Sequence, residues 1–438
     1  MVQRVILTAK RTSRVLTPWV AQAGRNVPEI VRGERSFLFD ENGKRYVDFS
    51  AGLVAVNLGH AHPGVAAAIA EQASKICYVA PSLGNDQREA LADAIAAIAP
   101  WSEGCRVFFT AGGGEANEDA IKIARTLTGR HKVLTAYRSF HGSAPGAGTL
   151  TGENRRWPNE PGIPGVVRFF APFPYRSPFY TRDAAEETQR ALSHLEDVIL
   201  YEGRDRIAAL LIEPIVGSNG VVLYPDGYLA GLRELCDRYG ILLVFDEVMT
   251  GFGRTGKPFA AQRFDVIPDL FTFAKGVTSA YVPLGGVAVR ESLASTFDAT
   301  PLPCGHTFSG HPLAMAAGVA SLETYREVFP RVPALERSLR EQLLQLQTRH
   351  PSIGEVRGTG AFFALELVKD RQTREPIVEW QGKQALGAFL ADLLDRGVYV
   401  YARFNTVIIA PPLVIEPDEI AQAIEGFDGA LTTLEKGA

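Results

Sequence analysis

The sequence predicts an α/β protein: a large domain with a mostly parallel sheet, spanning 62–321, and a smaller α+β domain built from both chain ends, 1–61 and 322–438. Three observations carry this expectation. Between Val107 and Val289 short apolar runs alternate with amphipathic stretches of helix length, the pattern of strands joined by crossover helices. Two of these runs, Leu242-Leu243-Val244-Phe245-Asp246-Glu247 and Phe271-Thr272-Phe273-Ala274-Lys275, are continuously apolar and then charged, as buried parallel strands are where they emerge. Beyond His350 short strand-like runs interleave with helices instead, and 438 residues exceed the size at which one core stops growing.

Composition narrows the function classes. A hydrophobic share of 46% permits sizeable cores, while a net charge of -4 gives no footprint for nucleic acid or an anionic membrane. Cys77, Cys105, Cys236 and Cys304 lie far apart, so neither a metal site nor a disulfide framework is suggested. Val5-Ile6-Leu7 is too short for a signal segment and no apolar run approaches a membrane span, so a cytoplasmic protein is expected.

In chain order, residues 1 to about 35 read as an arm over the body, with Pro18-Trp19 standing out. Ser36 to Phe49 reads as a hairpin, because Asn42-Gly43 between apolar stretches is the strongest short hairpin signal. Pro63 to Cys77 and Asp86 to Ala99 have helical periodicity, with Val65, Ala68, Ile69 and Ile76 on one face and Leu91, Ala94, Ile95 and Ile98 on another. Arg106 to Thr110 reads as a strand leading through Ala111-Gly112-Gly113-Gly114 into a helix with Ala116, Ala120, Ile123, Ala124 and Leu127 as its stripe and Gly129 as its stop. His131 to Tyr137 is a strand running into Arg138-Ser139-Phe140-His141-Gly142, and 143–180, rich in proline and aromatic residues, reads as a long irregular stretch. A helix around 183–201 precedes the strand Ile207 to Ile212, which ends in Glu213, and a further helix stops at Gly240. After a strand near Val287 and the loop Cys304 to Pro312, helix dominates to about His350. Val356 to Val368, Val398 to Tyr401 and Val407 to Ala410 then read as strands.

The strand ends hold the chemistry. A glycine cluster between strand and helix lets backbone N–H groups close on an anion, favoured there by the helix dipole, or else serves as a tight turn. An aromatic at a strand end, Phe140, can stack on a planar group or be plain core. Asp246 alone could be a helix cap, Lys275 a surface lysine and Glu213 half of an ion pair. Together, a phosphate-sized loop, an aromatic, an acid and a lysine follow successive strands of one sheet. They suit pyridoxal phosphate, which needs a lysine amine and a carboxylate to keep its pyridine nitrogen protonated. A nicotinamide-dependent oxidoreductase lacks the G-x-G-x-x-G fingerprint here.

Phe245-Asp246-Glu247-Val248-Met249-Thr250-Gly251-Phe252-Gly253-Arg254-Thr255-Gly256, Ala274-Lys275-Gly276 and Gly113-Gly114-Glu115-Ala116-Asn117-Glu118 resemble the signatures of class III (subgroup II, ω-type) aminotransferases, pyridoxal-phosphate enzymes of fold type I. The resemblance runs over nearly the whole chain. It implies Lys275 as the Schiff-base lysine and proton-moving base, and Asp246 as partner of the pyridinium nitrogen. Val248 would lie behind the ring and Phe140 over its other face, with His141 and Glu213 also at the cofactor. Gly113 and Gly114 would take the phosphate, and Thr307 the phosphate of a neighbouring subunit in a homodimer with shared sites. Trp19, Val54 and Arg403 would lie on the substrate side, with Arg403 clamping a carboxylate. Several amine-accepting relatives have Trp where Val54 stands, so their pocket shape does not carry over to this chain. The segment Arg155-Arg156-Trp157-Pro158 resembles the branch of taurine or β-alanine to pyruvate aminotransferases. The activity implied is ping-pong transfer of an amino group from an ω-amino acid or amine to a 2-oxo acid, with pyruvate foremost; an aminomutase would use the same cofactor and nearly the same residues.

Overall fold

The architecture is that of a computed structural model that describes residues 14–22, 27–378 and 385–437; the stretch containing Val5-Ile6-Leu7 lies outside the described residues. The central sheet has seven strands in the spatial order Cys105–Thr110, Gly285–Arg290, Leu270–Phe273, Leu242–Asp246, Ile207–Ile212, Lys132–Ala136, Val166–Phe169. Gly285–Arg290 runs antiparallel to both of its neighbours, and the remaining pairings are parallel. The fold is therefore α/β with a mostly parallel sheet, as the alternation of runs predicts.

Local chemistry accounts for these elements. Every residue of Ile207–Ile212 is buried, which is why the strand is a continuous apolar run. The helices Gly113–Thr128 and Tyr228–Tyr239 end at Gly129 and Gly240, whose φ of 65° and 61° is left-handed, so the stops are where the sequence puts them. One strand is an addition to the sequence reading. Val166–Phe169, within the stretch expected to be irregular, pairs in parallel with Lys132–Ala136 at the sheet edge. The same stretch also contains the helix Pro145–Leu150.

Both chain ends meet in the smaller sheets. Phe37–Asp40 and Arg45–Asp48 form the hairpin around Asn42-Gly43, and Val398–Tyr399 pairs in parallel with Arg45–Asp48. The second sheet joins Ile353–Thr359, Phe362–Asp370, Thr406–Ile409 and Tyr401–Arg403. The single strand expected over Val356 to Val368 is thus a hairpin, turned at Gly360 (φ 63°). The helices Ala385–Asp395 and Pro417–Lys436 contact through Phe389 and Phe427, and Phe49 of the N-terminal segment packs on Phe427 with ring centroids 6.1 Å apart. Among the described residues no helix is long and apolar enough to cross a membrane.

Candidate active site

The carboxyl ends of parallel strands share one edge of a sheet, and ligands bind at that edge. A cavity of about 390 Å³ lies there, lined by Gly113, Gly114, Phe140, His141, Glu213, Asp246, Val248 and Lys275 among others. These residues follow five strands of the one sheet, so their proximity follows from topology rather than from nearness in sequence.

Asp246 ends Leu242–Asp246 and is almost wholly buried. Its Oδ1 accepts from Val248 N at 3.0 Å, and its Oδ2 accepts from Asn117 Nδ2 at 2.8 Å and from His141 Nδ1 at 2.7 Å. Asn117 also donates to His141 O at 2.8 Å and accepts from the Thr272 hydroxyl at 2.8 Å. Reversing that amide would set its oxygen against a carboxylate and a carbonyl, so the orientation is fixed. Glu213 is tied to the backbone. Its Oε1 accepts from Phe140 N at 2.9 Å and its Oε2 from Gly217 N at 2.8 Å. Burial raises its pKa, against the pull of His141, and the charge of Asp246 raises it further.

Lys275 opens a short 3-10 turn just beyond Leu270–Phe273 with a left-handed φ of 43°, and Ser279 and Ala280 follow at 51° and 61°. Left-handed backbone at non-glycine residues is strained and gathers at functional sites. Burial lowers the Lys275 pKa to about 8, with Asp246 and Glu213 pulling the other way.

Glycines of the cavity wall allow close backbone approach. The helix Gly113–Thr128 begins there without a side-chain cap, and the N–H groups of a helix's first turn have no partner within the helix. A Cβ at Gly113 would stand 2.8 Å from Val248 Cγ2, and one at Gly142 would stand 2.8 Å from Gly114 Cα. A helix start at the cavity, Val248 and Phe140 in its lining, a tethered carboxylate and an amine together fit pyridoxal phosphate.

Guanidinium groups gather beside this cavity. The Arg155 guanidinium lies 3.7 Å from the centre of the Phe140 ring, bonds Glu153 and donates to Ser218 Oγ at 2.8 Å. Arg403 donates from Nη2 to Glu153 Oε2 at 2.5 Å and Asn154 Oδ1 at 2.7 Å, and from Nε to Asn219 Oδ1 at 3.0 Å. Two cations thus share the buried Glu153 carboxylate.

The remaining residues named from sequence are placed less centrally. Trp19 is 56% exposed, with its ring centre 6.0 Å from the Arg155 guanidinium. Val54 does not line the cavity: it is buried with Ile215, Val221, Phe362 and Ile408, while its neighbour Ala55 faces the cavity. Thr307 lies outside the cavity on the surface. Asn117, Glu153 and Asn219 escaped the sequence reading. For Asn117 a signal existed, since it is an amide beside Ala116 and in line with Ala120 and Ile121 on a face that is otherwise apolar.

Comparison with known proteins agrees with this geometry. The family described as Aminotransferase class-III matches residues 20–431. Among solved structures, a taurine:2-oxoglutarate aminotransferase from Bifidobacterium kashiwanohense, in complex with PLP and glutamate, is similar with a TM-score of 0.94 and 42% identity, over 97% of this chain and 96% of that one. A probable aminotransferase of Mycobacterium tuberculosis is 37% identical over 93% of this chain and 90% of its own length. The taurine–pyruvate aminotransferase of Bilophila wadsworthia is 34% identical over 93% of this chain and 92% of its own.

Proposed function

The chain belongs to the class III aminotransferases, which are pyridoxal-phosphate-dependent, and from that premise we propose how its own residues divide the work of moving an amino group from an ω-amino acid or amine to a 2-oxo acid. The bound cofactor supplies an aldehyde that captures amines and a protonated ring that draws electrons from the bond being broken. Lys275 would hold it covalently. Released by substrate, the Lys275 amine would take the proton from the amine-bearing carbon and hand it to the former aldehyde carbon of the cofactor within the same half-reaction, and would carry it the opposite way when the 2-oxo acid is aminated. Its lowered pKa, about 8, keeps a usable fraction neutral for that work. Asp246 holds the proton on the ring nitrogen, with Asn117 and His141 fixing its carboxylate. Gly113 and Gly114 would take the phosphate on backbone N–H groups and Val248 and Phe140 would hold the ring between them, while Glu213 accepts from Phe140 N and so holds that backbone in place.

Acceptor recognition falls to the guanidinium groups. Arg403 meets the carboxylate of the 2-oxo acid, taken to be pyruvate, and returns to Glu153 when an amine without a carboxylate is bound. Arg155, the second cation on that single acid, favours donors with an anionic far end, a class that includes ω-amino acids and aminosulfonates. The working unit is a homodimer in which Thr307 reaches the phosphate of the neighbouring subunit.

The observation that carries this reading is the meeting of Lys275 and a tethered Asp246 in one cavity. Borohydride reduction of the purified protein followed by peptide mapping tests it. The expected product is a pyridoxyl adduct on the peptide containing Lys275, and an adduct elsewhere, or none, would refute the assignment.

A further inference from the structure

Thr307 and Phe308 form the exposed tip of the loop between Ser295–Asp298 and Pro312–Val328, and Phe308 is 59% exposed. A tip that must deliver a hydroxyl to a fixed point needs an immobile base, because small misplacements forfeit most of such a contact. Here the base is held from both sides. Ahead of the tip, His306 Nε2 donates to Asp119 Oδ2 at 2.5 Å and Cys304 Sγ to Asp119 O at 3.8 Å. Behind it, Arg88 Nε donates to Gly310 O at 2.6 Å, while the rest of that guanidinium grips the carbonyls of Val79 and Leu83.

Asp119 is a fully buried carboxylate, and a buried ion persists only when it is paired and hydrogen-bonded. Lys122 Nζ, at 2.8 Å, is one partner and His306 is the other. Asp119 belongs to Gly113–Thr128, the helix that opens on the cavity with Gly113 and Gly114. The two points are roughly 9 Å apart along the helix axis, on one rigid element.

We infer that His306 is a positioning residue that acts through Thr307: by docking the tip on Asp119 it makes the helix at one subunit's own phosphate end also the mount for the hydroxyl that completes the neighbouring subunit's site. The inference rests on the reading of Thr307 given above. It gives Asp119, His306 and Lys122 a shared task that the chemistry inside the cavity does not use.

The test is the affinity of the dimer for pyridoxal phosphate, measured as free cofactor after ultrafiltration, in Thr307→Val, His306→Leu, the double variant and His306→Gln. The His306 side chain is only 25% exposed, and Lys122 stays on Asp119 when it is replaced. Each single variant is expected to weaken binding about tenfold, the scale of one hydrogen bond involving a charged group. The double variant should be no weaker than about tenfold, because both changes disable the same contact. Gln, whose amide can still donate to Asp119, should stay within about threefold of the parent chain. If His306→Leu does not fold, His306→Asn, too short to reach Asp119, is expected to show the same tenfold loss. Multiplying losses in the double variant, or a Thr307→Val loss with His306→Leu unaffected, would overturn this inference alone. A neutral Thr307→Val would overturn the reading of Thr307 and this inference with it.

Discussion

Asp246 has most of its acceptor capacity committed before any ligand arrives, to Val248 N, Asn117 and His141. Such a carboxylate is preorganised, and preorganised charge is commonly the largest single contribution to catalysis. Asp246→Asn is therefore expected to retain cofactor but lose on the order of a thousandfold in turnover, which single-turnover kinetics would measure; near-normal rates would dismiss the role. Lys275 leads to an expectation about pH. With its pKa lowered to about 8, roughly a quarter of the amine is neutral at pH 7.5, against about a thousandth for an unshifted lysine. Deprotonation supplies the nucleophile, so capture of pyridoxal phosphate by the apoprotein should accelerate as pH rises and level off above about 8; a rate still climbing at pH 10 would contradict the shift. Arg403→Ala should weaken the half-reaction with pyruvate by about 2–5 kcal/mol, the scale of a lost buried charge pair, and that with a simple monoamine far less. Equal losses in both would remove Arg403 from acceptor recognition. At this scale the sequence showed those residues whose surroundings are local: Asp246 and Lys275 each stand at the end of an apolar run. It could not show that Glu153 holds Arg403, since the two are 250 residues apart and no pattern along the chain pairs them.

Elements were legible wherever one local rule dominates. Asn42-Gly43 announces its hairpin, and Gly129 and Gly240 end their helices because left-handed backbone suits glycine. Val166–Phe169 was not legible, because a strand this short among prolines and glycines is identified only by the sheet edge it joins. Nor could Val54 be oriented from sequence. It adopts φ 58°, unusual for a β-branched residue, and so faces the core instead of the cavity. Tertiary context is equally decisive at Arg254, in the turn after Leu242–Asp246. This fully buried guanidinium, its pKa lowered by burial to about 10, donates to Ala361 O at 3.0 Å, Pro411 O at 2.7 Å and Asn57 Oδ1 at 2.6 Å. It thereby ties the turn after Leu242–Asp246 to the hairpin of Ile353–Thr359 and Phe362–Asp370, to the segment after Thr406–Ile409 and to the N-terminal segment. Arg254→Met would fill similar space yet leave those oxygens unpaired, at about 1–3 kcal/mol each. A loss of at least about 3 kcal/mol in denaturant unfolding is expected, with the Lys275 adduct still forming in the folded fraction. A variant as stable as the parent would mean that water replaces the guanidinium.

For the whole molecule, aromatic rings stand exposed on and beside a loop whose base is bonded to the helix that opens on the cavity. Phe308 is 59% exposed, and its ring lies 6.2 Å from that of Tyr78, itself 41% exposed; Leu83, on the segment gripped by Arg88, is 60% exposed. Apolar surface of this kind marks an interaction site when it is contiguous and held rigid. The loop that carries it is fixed at Asp119 and Arg88, so the rings are presented rather than left loose. Patterns along the chain could not reveal this, because a residue buried only by a second copy obeys no periodicity of its own chain. The expectation of a dimer rests on the resemblance at Thr307 and on the aromatic, proline-rich stretch 143–180, and the exposed rings are surface that such a dimer would cover. An obligate interface buries more than about 2,000 Å² and is centred on such apolar anchors, so a charge there should act out of proportion to its size. Phe308→Glu is expected to produce monomers in sedimentation at micromolar concentration and, with them, loss of cofactor and activity together. Adding pyridoxal phosphate should pull the variant back toward dimer, since a ligand held across the interface favours the assembled state by mass action. Monomers that keep cofactor and full turnover would show that each subunit completes its own site, and the shared-site arrangement would have to be given up.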